Sequence, residues 1–226
     1  MKETAITEAM LDALRGQVSS GMSEKRFRHT AEVEKMVARL CALYAPDRER
    51  ELRAAALLHD ITKEYSSTLQ IKICAEYGLT VTECDLNAPK TFHARTAAAM
   101  IPDKYPEFDV GEVVSCVRWH TTGREGMTLC EQLVYLADYI DMSRTFDDCV
   151  TLRNYFFDAE PEKMNESERL LHLRKTLIMS FDMTIRGLLS DGAPVSVDSM
   201  NARNELICLV KGDANSFFEK ALKELS

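Results

Sequence analysis

Apolar residues recur three and four positions apart through most of the chain, the spacing that lines up one face of an α-helix. No segment alternates apolar and polar residues between hairpin turns, so an all-α fold is expected. Between Glu24 and Tyr44, the residues Val33, Met36, Val37, Leu40, Cys41 and Tyr44 share a face, and Ala45-Pro46-Asp47 supplies the stop. His29 lies four positions before Val33 and therefore on that inward face. A second helix, dense in alanine and leucine, runs from Arg50 to about His59 and delivers His59-Asp60 at its end. Leu69 to Tyr77 reads as a helix closed by Gly78, and Leu79 to Lys90, with Asn87 and Pro89, as loop.

His93 opens an alanine-rich helix that Pro102 is expected to interrupt. Val110 to His120 follows, with Val113, Val117 and His120 on one face, and Thr121-Thr122-Gly123 breaks it. Thr128 and Glu131 form a capping box for an apolar helix that runs to about Ile140 and contains Asp138. Phe146 to Pro161 and Glu162 to Glu168 are mixed and polar. Leu170 to Leu189 is a long amphipathic helix ending near Asp191-Gly192, and Asn201 to Ser226 predicts one or two more helices.

Composition narrows the class. With 226 residues, 46% hydrophobic and 28% charged, the chain suits one folded soluble domain. A net charge of −8 disfavours nonspecific contact with nucleic-acid backbone or an anionic membrane. A metal or local arginines can still reverse the sign within one cleft. The Met1 to Leu14 segment has no long apolar run after a basic start, and no stretch reaches the roughly 18 apolar residues of a membrane span, so a cytoplasmic location is expected. Seven singly spaced cysteines, Cys41, Cys74, Cys84, Cys116, Cys130, Cys149 and Cys208, read as small core residues in a reducing compartment.

Candidate chemistry comes from position. Four of the five histidines, His29, His59, His93 and His120, lie in or beside apolar helical faces, and Asp60 and Asp138 keep similar company. Taken singly, each is an ordinary core histidine or helix-capping acid, and a structural bundle is the competing reading. Taken together they differ, because an ionised carboxylate left unpaired in apolar surroundings costs several kcal/mol. Two such acids with four imidazoles call for a shared cation, and imidazole plus carboxylate without paired thiolates suits iron, manganese or zinc.

The order of His29, the His59-Asp60 pair thirty residues later and the distant Asp138 resembles the HD phosphohydrolase superfamily. Three segments sharpen the likeness: Lys25-Arg26-Phe27-Arg28-His29-Thr30, Leu58-His59-Asp60-Ile61-Thr62-Lys63, and Trp119-His120-Thr121-Thr122-Gly123-Arg124-Glu125-Gly126-Met127-Thr128 leading into Tyr135-Leu136-Ala137-Asp138-Tyr139-Ile140. They resemble the YqeK family, the HD-domain symmetrical diadenosine tetraphosphate hydrolases of bacteria, over roughly Arg26 to Asn204. The resemblance implies an HD-domain helical bundle with a metal site between helices. Residues 1–204 would form the phosphohydrolase domain and 205–226 a C-terminal helical extension. It also implies iron-dependent cleavage of diadenosine tetraphosphate to two ADP with two divalent transition-metal ions.

Carried over by motif, His29, His59, Asp60 and Asp138 would hold one ion, while His93 and His120 complete the second and Asp60 bridges. Nucleotide contacts would come from Arg26, Asp60, His93, His120, Thr121, Asp138, Arg144 and the segment Ala193-Pro194-Val195-Ser196-Val197-Asp198. Ser196 and Val197 replace an aromatic residue and a proline usual before that aspartate, Arg95 stands where the family has proline, and the chain runs past the family's usual end. Asp60 and Lys63 are the candidate catalytic residues, Lys63 one turn further on and able to meet phosphate oxygens. A solvated surface cation is the alternative for Lys63 and for Arg144. Thr121-Thr122-Gly123-Arg124 either offers N–H groups and a guanidinium to an anion or simply ends a helix. His172 has no acidic company and is expected to play no metal role; Trp119 lines a pocket or packs in the core.

The expected partner is a small dinucleoside polyphosphate, with no nucleic acid, no membrane and a homodimer left open. Phe217-Phe218 suggests packing or self-association of the tail. Rival functions are another HD-domain nucleotide phosphohydrolase, such as a nucleotidase or dNTPase, and a non-catalytic nucleotide sensor.

Overall fold

Short polar side chains placed just ahead of apolar runs start most of the helices, each accepting a hydrogen bond from an otherwise unpaired first-turn N–H. Thr7 caps α1 (Glu8–Ser20) and Ser23 caps α2 (Glu24–Tyr44). After α3 (Glu49–Leu58), Ser66 caps α4 (Ser67–Glu76) and Thr82 caps the single turn α5 (Glu83–Leu86). The chain continues through α6 (Phe92–Lys104) and α7 (Gly111–Trp119) to α8 (Leu129–Ile140), which Thr128 and Glu131 open with the expected capping box. Then come α9 (Asp147–Asp158), α10 (Glu166–Ser190), capped by Asn165, and α11 (Val197–Val210). The computed structural model describes residues 5–212, and all regular structure among them is helical.

At the centre α2 packs on α3 and α8, α3 packs on α7, and α7 pairs with α6 and α8. Val33, Val37 and Leu40 of α2, Leu52 and Leu57 of α3, Val113 and Val117 of α7, and Leu133 and Leu136 of α8 are fully buried. Each contributes on the order of 1.5–3 kcal/mol by leaving water. Outside this layer α4 covers α6, while α10 pairs with α9 and α11. The buried Glu34 of α2 ties in two neighbours, accepting from Arg15 Nε (2.9 Å) and Nη2 (2.6 Å) on α1 and from Arg53 Nε (3.1 Å) on α3.

Several expectations change. α6 is not interrupted at Pro102 but continues to Lys104. A proline so close to a helix end gives up one ladder bond, to the Ala98 carbonyl, and the Tyr105 N–H still reaches the Ile101 carbonyl at 2.8 Å. The stretch expected as loop before Lys90 contains α5, and the mixed segment after Phe146 holds α9, which buries Cys149, Leu152 and Phe156. α1, given no helix from sequence, buries Leu11, Leu14 and Val18. α11 begins before Asn201 and runs on past Asn204 to Val210. Residues 213–226, with the Phe217-Phe218 pair and most of the expected extension, lie outside the described residues. Five cysteines are buried as expected, but Cys84 and Cys208 are exposed. Among the described residues no helix is long and apolar enough to cross a membrane.

Candidate metal centre

Five helices converge on one point. α2 supplies His29 from its second turn, His59 caps the end of α3 with Asp60 directly after it, His93 lies in the first turn of α6, His120 caps the end of α7, and α8 contributes Asp138. The loop after Asp60 is pinned to α6 by Thr62, whose hydroxyl donates to the His93 carbonyl at 2.9 Å, and Gln70 Nε2 in turn donates to the Thr62 carbonyl at 2.6 Å.

Three of the imidazoles are oriented by the same local device. Nδ1 donates to the carbonyl three residues earlier: His59 to Ala56 at 2.6 Å, His93 to Lys90 at 2.7 Å and His120 to Val117 at 2.7 Å. A carbonyl can only accept, so the proton is assigned to Nδ1 and the Nε2 lone pair is free. His29 is held differently. Its Nδ1 lies 3.3 Å from Ser143 Oγ and 3.3 Å from Asp141 Oδ2, and the Ser143 hydroxyl donates to Asp141 Oδ1. The fully buried Asp141 therefore faces this ring from behind.

The freed Nε2 atoms surround the two carboxylates. His29 Nε2 is 3.0 Å from Asp138 Oδ1 and 3.6 Å from Asp60 Oδ2, and His59 Nε2 is 3.4 Å from Asp60 Oδ2. On the opposite side, His93 Nε2 and His120 Nε2 lie 3.3 and 3.9 Å from Asp60 Oδ1. The two oxygens of Asp60 thus face two different pairs of imidazoles, the arrangement expected of a bridging ligand. His29, His59 and Asp138 form one group able to hold an ion, and His59, Asp60 and His120 form another.

Transition-metal ions fit these residues. The Nε2 atoms of His29 and His59 are buried without a hydrogen-bond partner, and those of His93 and His120 approach to 3.0 Å with their lone pairs toward each other. Both features are costly unless a cation sits among them. The mix of imidazole and carboxylate donors, each imidazole held from behind, is that of a divalent transition-metal site.

Burial drives the His120 imidazolium down to about 4, with His59 adding repulsion, and drives His93 well below the usual histidine range, with His120 adding repulsion. At His29 burial works the same way, but the carboxylates of Asp138 and Asp141, 3.0 and 3.3 Å from its ring nitrogens, outweigh it and raise the ring to about 9. Burial also opposes ionisation of both acids. Asp60 is nevertheless held well below the carboxylate range by His59, His93 and Lys63, and Asp138 by Arg144 and His29.

The remaining candidates divide into those that meet the centre and those engaged elsewhere. Lys63 Nζ lies 3.1 Å from His93 Nε2, and Thr121 Oγ1 lies 3.0 Å from the Nε2 atoms of both His93 and His120. Arg26 Nη1 donates to Asp60 Oδ2 at 2.7 Å, and Arg144 Nη2 to Asp138 Oδ1 at 2.6 Å. Arg124 is spent on Glu131 at 3.1 Å, so only Thr121 of the Thr-Thr-Gly-Arg run reaches the imidazoles by its side chain. The segment from Ala193 to Asp198 runs from the turn after α10 into the first residues of α11, and the adjacent Ser199 hydroxyl donates to the Thr122 carbonyl at 2.7 Å, seating that end of α11 against the turn after His120. His172 Nε2 instead meets the Phe156 carbonyl at 3.0 Å, away from the centre.

Asp141 and Ser143 were not singled out by sequence. The available signal was an acid three positions after Asp138, one turn further on where α8 ends. Asp141→Asn should leave the fold intact but weaken metal binding about ten- to a hundredfold, the usual cost of losing a partner behind a ligating histidine. Competition against a chelator measures this, and an unchanged affinity would remove Asp141 from the site.

Residues 26–143 match the family model described as HD domain. Over 190 residues the chain is 28% identical to a protein of Bacillus subtilis (strain 168) named "Bis(5'-nucleosyl)-tetraphosphatase, symmetrical", covering 84% of this chain and 94% of that one. A protein of the same name from Halalkalibacterium halodurans is 26% identical over 190 residues, covering 84% and 93%. A crystal structure of a predicted HD superfamily hydrolase involved in NAD metabolism from Clostridium acetobutylicum superposes with a TM-score of 0.73 at 29% identity, over 87% of this chain and 96% of that one. The matched span takes in more than half of the chain and all six residues of the centre, and this chain belongs to the HD domain family.

Proposed function

We propose that this metal-dependent phosphohydrolase cleaves diadenosine tetraphosphate symmetrically into two ADP, using two divalent transition-metal ions, with iron the expected metal. The observation that carries the reading is the placement of Asp60, whose two oxygens each face a pair of imidazoles (3.4–3.6 Å and 3.3–3.9 Å). The names of the two bacterial relatives supply the substrate.

His29, His59, Asp60 and Asp138 would hold one ion, with Asp60, His93 and His120 holding the other. Such ions, when bound, polarise phosphoryl oxygens and bring the pKa of water toward neutrality. Asp60 keeps its charge at neutral pH and fixes the spacing of the two halves of the site. Lys63 sets an ammonium beside His93 where it can meet a phosphate oxygen. Arg26 and Arg144 lie on Asp60 and Asp138, so their forks border the space in which the polyphosphate would bind, and Thr121 adds a hydroxyl donor. The segment Ala193-Pro194-Val195-Ser196-Val197-Asp198 would border the base. Water adds to one of the two inner phosphorus atoms, the bond to the central bridging oxygen breaks with its electron pair, and each product keeps two phosphates. The charge of −8 argues against a nucleic-acid partner, and a cytoplasmic location accords with seven free cysteines.

Chromatography of the products tests this directly. Two ADP per substrate are expected; release of AMP with ATP would mean that an outer phosphoanhydride bridge is the one broken and would end the symmetrical assignment.

A further inference from the structure

Arg144 reaches the metal centre from residues 141–146, the connection between the end of α8 and the start of α9. Its side chain bonds only to that side of the centre: Nε donates to the Asp138 carbonyl and lies 3.3 Å from Asp141 Oδ2, and Nη2 donates to Asp138 Oδ1 at 2.6 Å. Asp138 is itself a candidate metal ligand, so an ion that takes its carboxylate, or a phosphate that takes the guanidinium, competes with these bonds. The aim of the side chain then depends on how its backbone is held. Within the connection the Arg144 N–H makes one long bond, to the Asp141 carbonyl at 3.3 Å. A firmer hold comes from α9. Arg153, in its second turn, donates through Nη2 to the Arg144 carbonyl at 2.6 Å, and its Nη1 approaches Met142 Sδ at 3.8 Å.

Stability alone does not account for this use of a guanidinium. Among the described residues no carboxylate lies within 4.0 Å of Arg153, and its Nε is buried without a hydrogen-bond partner. Enclosing such a donor costs free energy, and in a chain of net charge −8 a carboxylate would have been the usual partner for the cation. A planar fork does what an ion pair at the surface would not: it fixes two points of one loop at once. Those points are Met142 and Arg144, on either side of Ser143, whose hydroxyl donates to Asp141 behind His29.

We propose that Arg153 is a positioning residue for phosphate binding: its bond to the Arg144 carbonyl fixes the root of the Arg144 side chain, so that the guanidinium stays aimed at the polyphosphate when it leaves Asp138. The proposal rests on the reading above for its dinucleotide substrate, whereas its chemistry requires only a phosphate anion.

A double-mutant cycle tests whether Arg153 acts through Arg144. The metal-loaded full chain, Arg144→Ala, Arg153→Ala and the double variant are titrated with ADP and, separately, with inorganic pyrophosphate by calorimetry, and KM and kcat for diadenosine tetraphosphate are measured alongside. Arg153→Ala should weaken binding of both probes about three- to tenfold, the range for one hydrogen bond, and should raise KM more than it lowers kcat. In the Arg144→Ala background the same change should have no further effect, because the side chain that Arg153 positions is gone. Metal content and melting temperature establish that each variant is folded. Should Arg153→Ala not fold, Arg153→Met, which keeps the length of the side chain and removes every donor, replaces it in the same cycle.

Losses that multiply in the double variant, or parent-like affinity for both probes in a folded Arg153 variant, overturn the proposal. If the parent releases two ADP while the losses multiply, the proposal fails and the tetraphosphatase reading stands. If the parent cleaves no dinucleotide but its pyrophosphate affinity depends on Arg153 only when Arg144 is present, the proposal stands and that reading fails.

Discussion

Replacing Asp60 by alanine should depopulate the metal centre and bring turnover to background. The carboxylate is 3% exposed, and among the described residues no other carboxylate faces both pairs of imidazoles, so none there can take over the bridging position. Removing it also leaves the Arg26 guanidinium, bonded to Asp60 at 2.7 Å, without its acceptor. Two effects therefore add: the ions lose shared negative charge, and the pocket becomes more cationic and repels them. Asp60→Asn separates charge from shape, because it keeps the volume and an acceptor oxygen; it should fail nearly as completely if charge is what matters. Elemental analysis alongside ADP release measures both effects, with circular dichroism to confirm folding. A folded Asp60→Ala protein carrying its full metal complement and turning over normally would refute the assignment of the centre.

The parts of this site that were legible in the sequence are those where a polar residue breaks an apolar pattern. His29, His120 and Asp138 stand on faces otherwise filled by Val33, Val117 and Val134, and nothing but a buried partner explains such company. The end of α2 at Ala45-Pro46-Asp47 and the start of α8 at the Thr128–Glu131 box were equally clear, because both are local devices that act within one turn. What escaped depends on contacts distant in sequence or on geometry beyond a helix end. Ser143 reaches His29 across 114 positions, and its sequence neighbours, exposed Met142 and half-buried Arg144, give no hint of it. Glu131 looks like a plain capping residue until Arg124 and Ser115 are found on its other oxygen. α1 was missed because its inward set, Leu11, Leu14 and Val18, is sparse, and packing against α3 and α2 makes the segment worth ordering.

The second large effect expected concerns stability, at the place where α10 supports the turn behind the metal centre. Phe181 is fully buried; its ring stacks on Tyr135 of α8 with centroids 4.6 Å apart and lies against Gly123. Gly123 has φ +62°, a conformation costly for residues with a side chain, and a Cβ there would stand 2.6 Å from Phe181 Cζ. The turn from Thr121 to Gly123 can therefore close against α10 only because one residue lacks a side chain and the other fills the space. Phe181→Ala should cost about 3–5 kcal/mol, a large share of the roughly 5–15 kcal/mol that holds a domain together. The denaturant midpoint should fall with little change in slope. Gly123→Ala should also destabilise, by backbone strain plus the clash with the ring. In the Phe181→Ala background the clash with the ring is gone, leaving the strain and a 3.1 Å approach to Met127 Sδ, so the double variant should be more stable than the two separate losses predict. Strict additivity, or a Phe181→Ala loss below about 1 kcal/mol, which buried aromatic truncations do not show, would mean that this contact does not hold the turn in place.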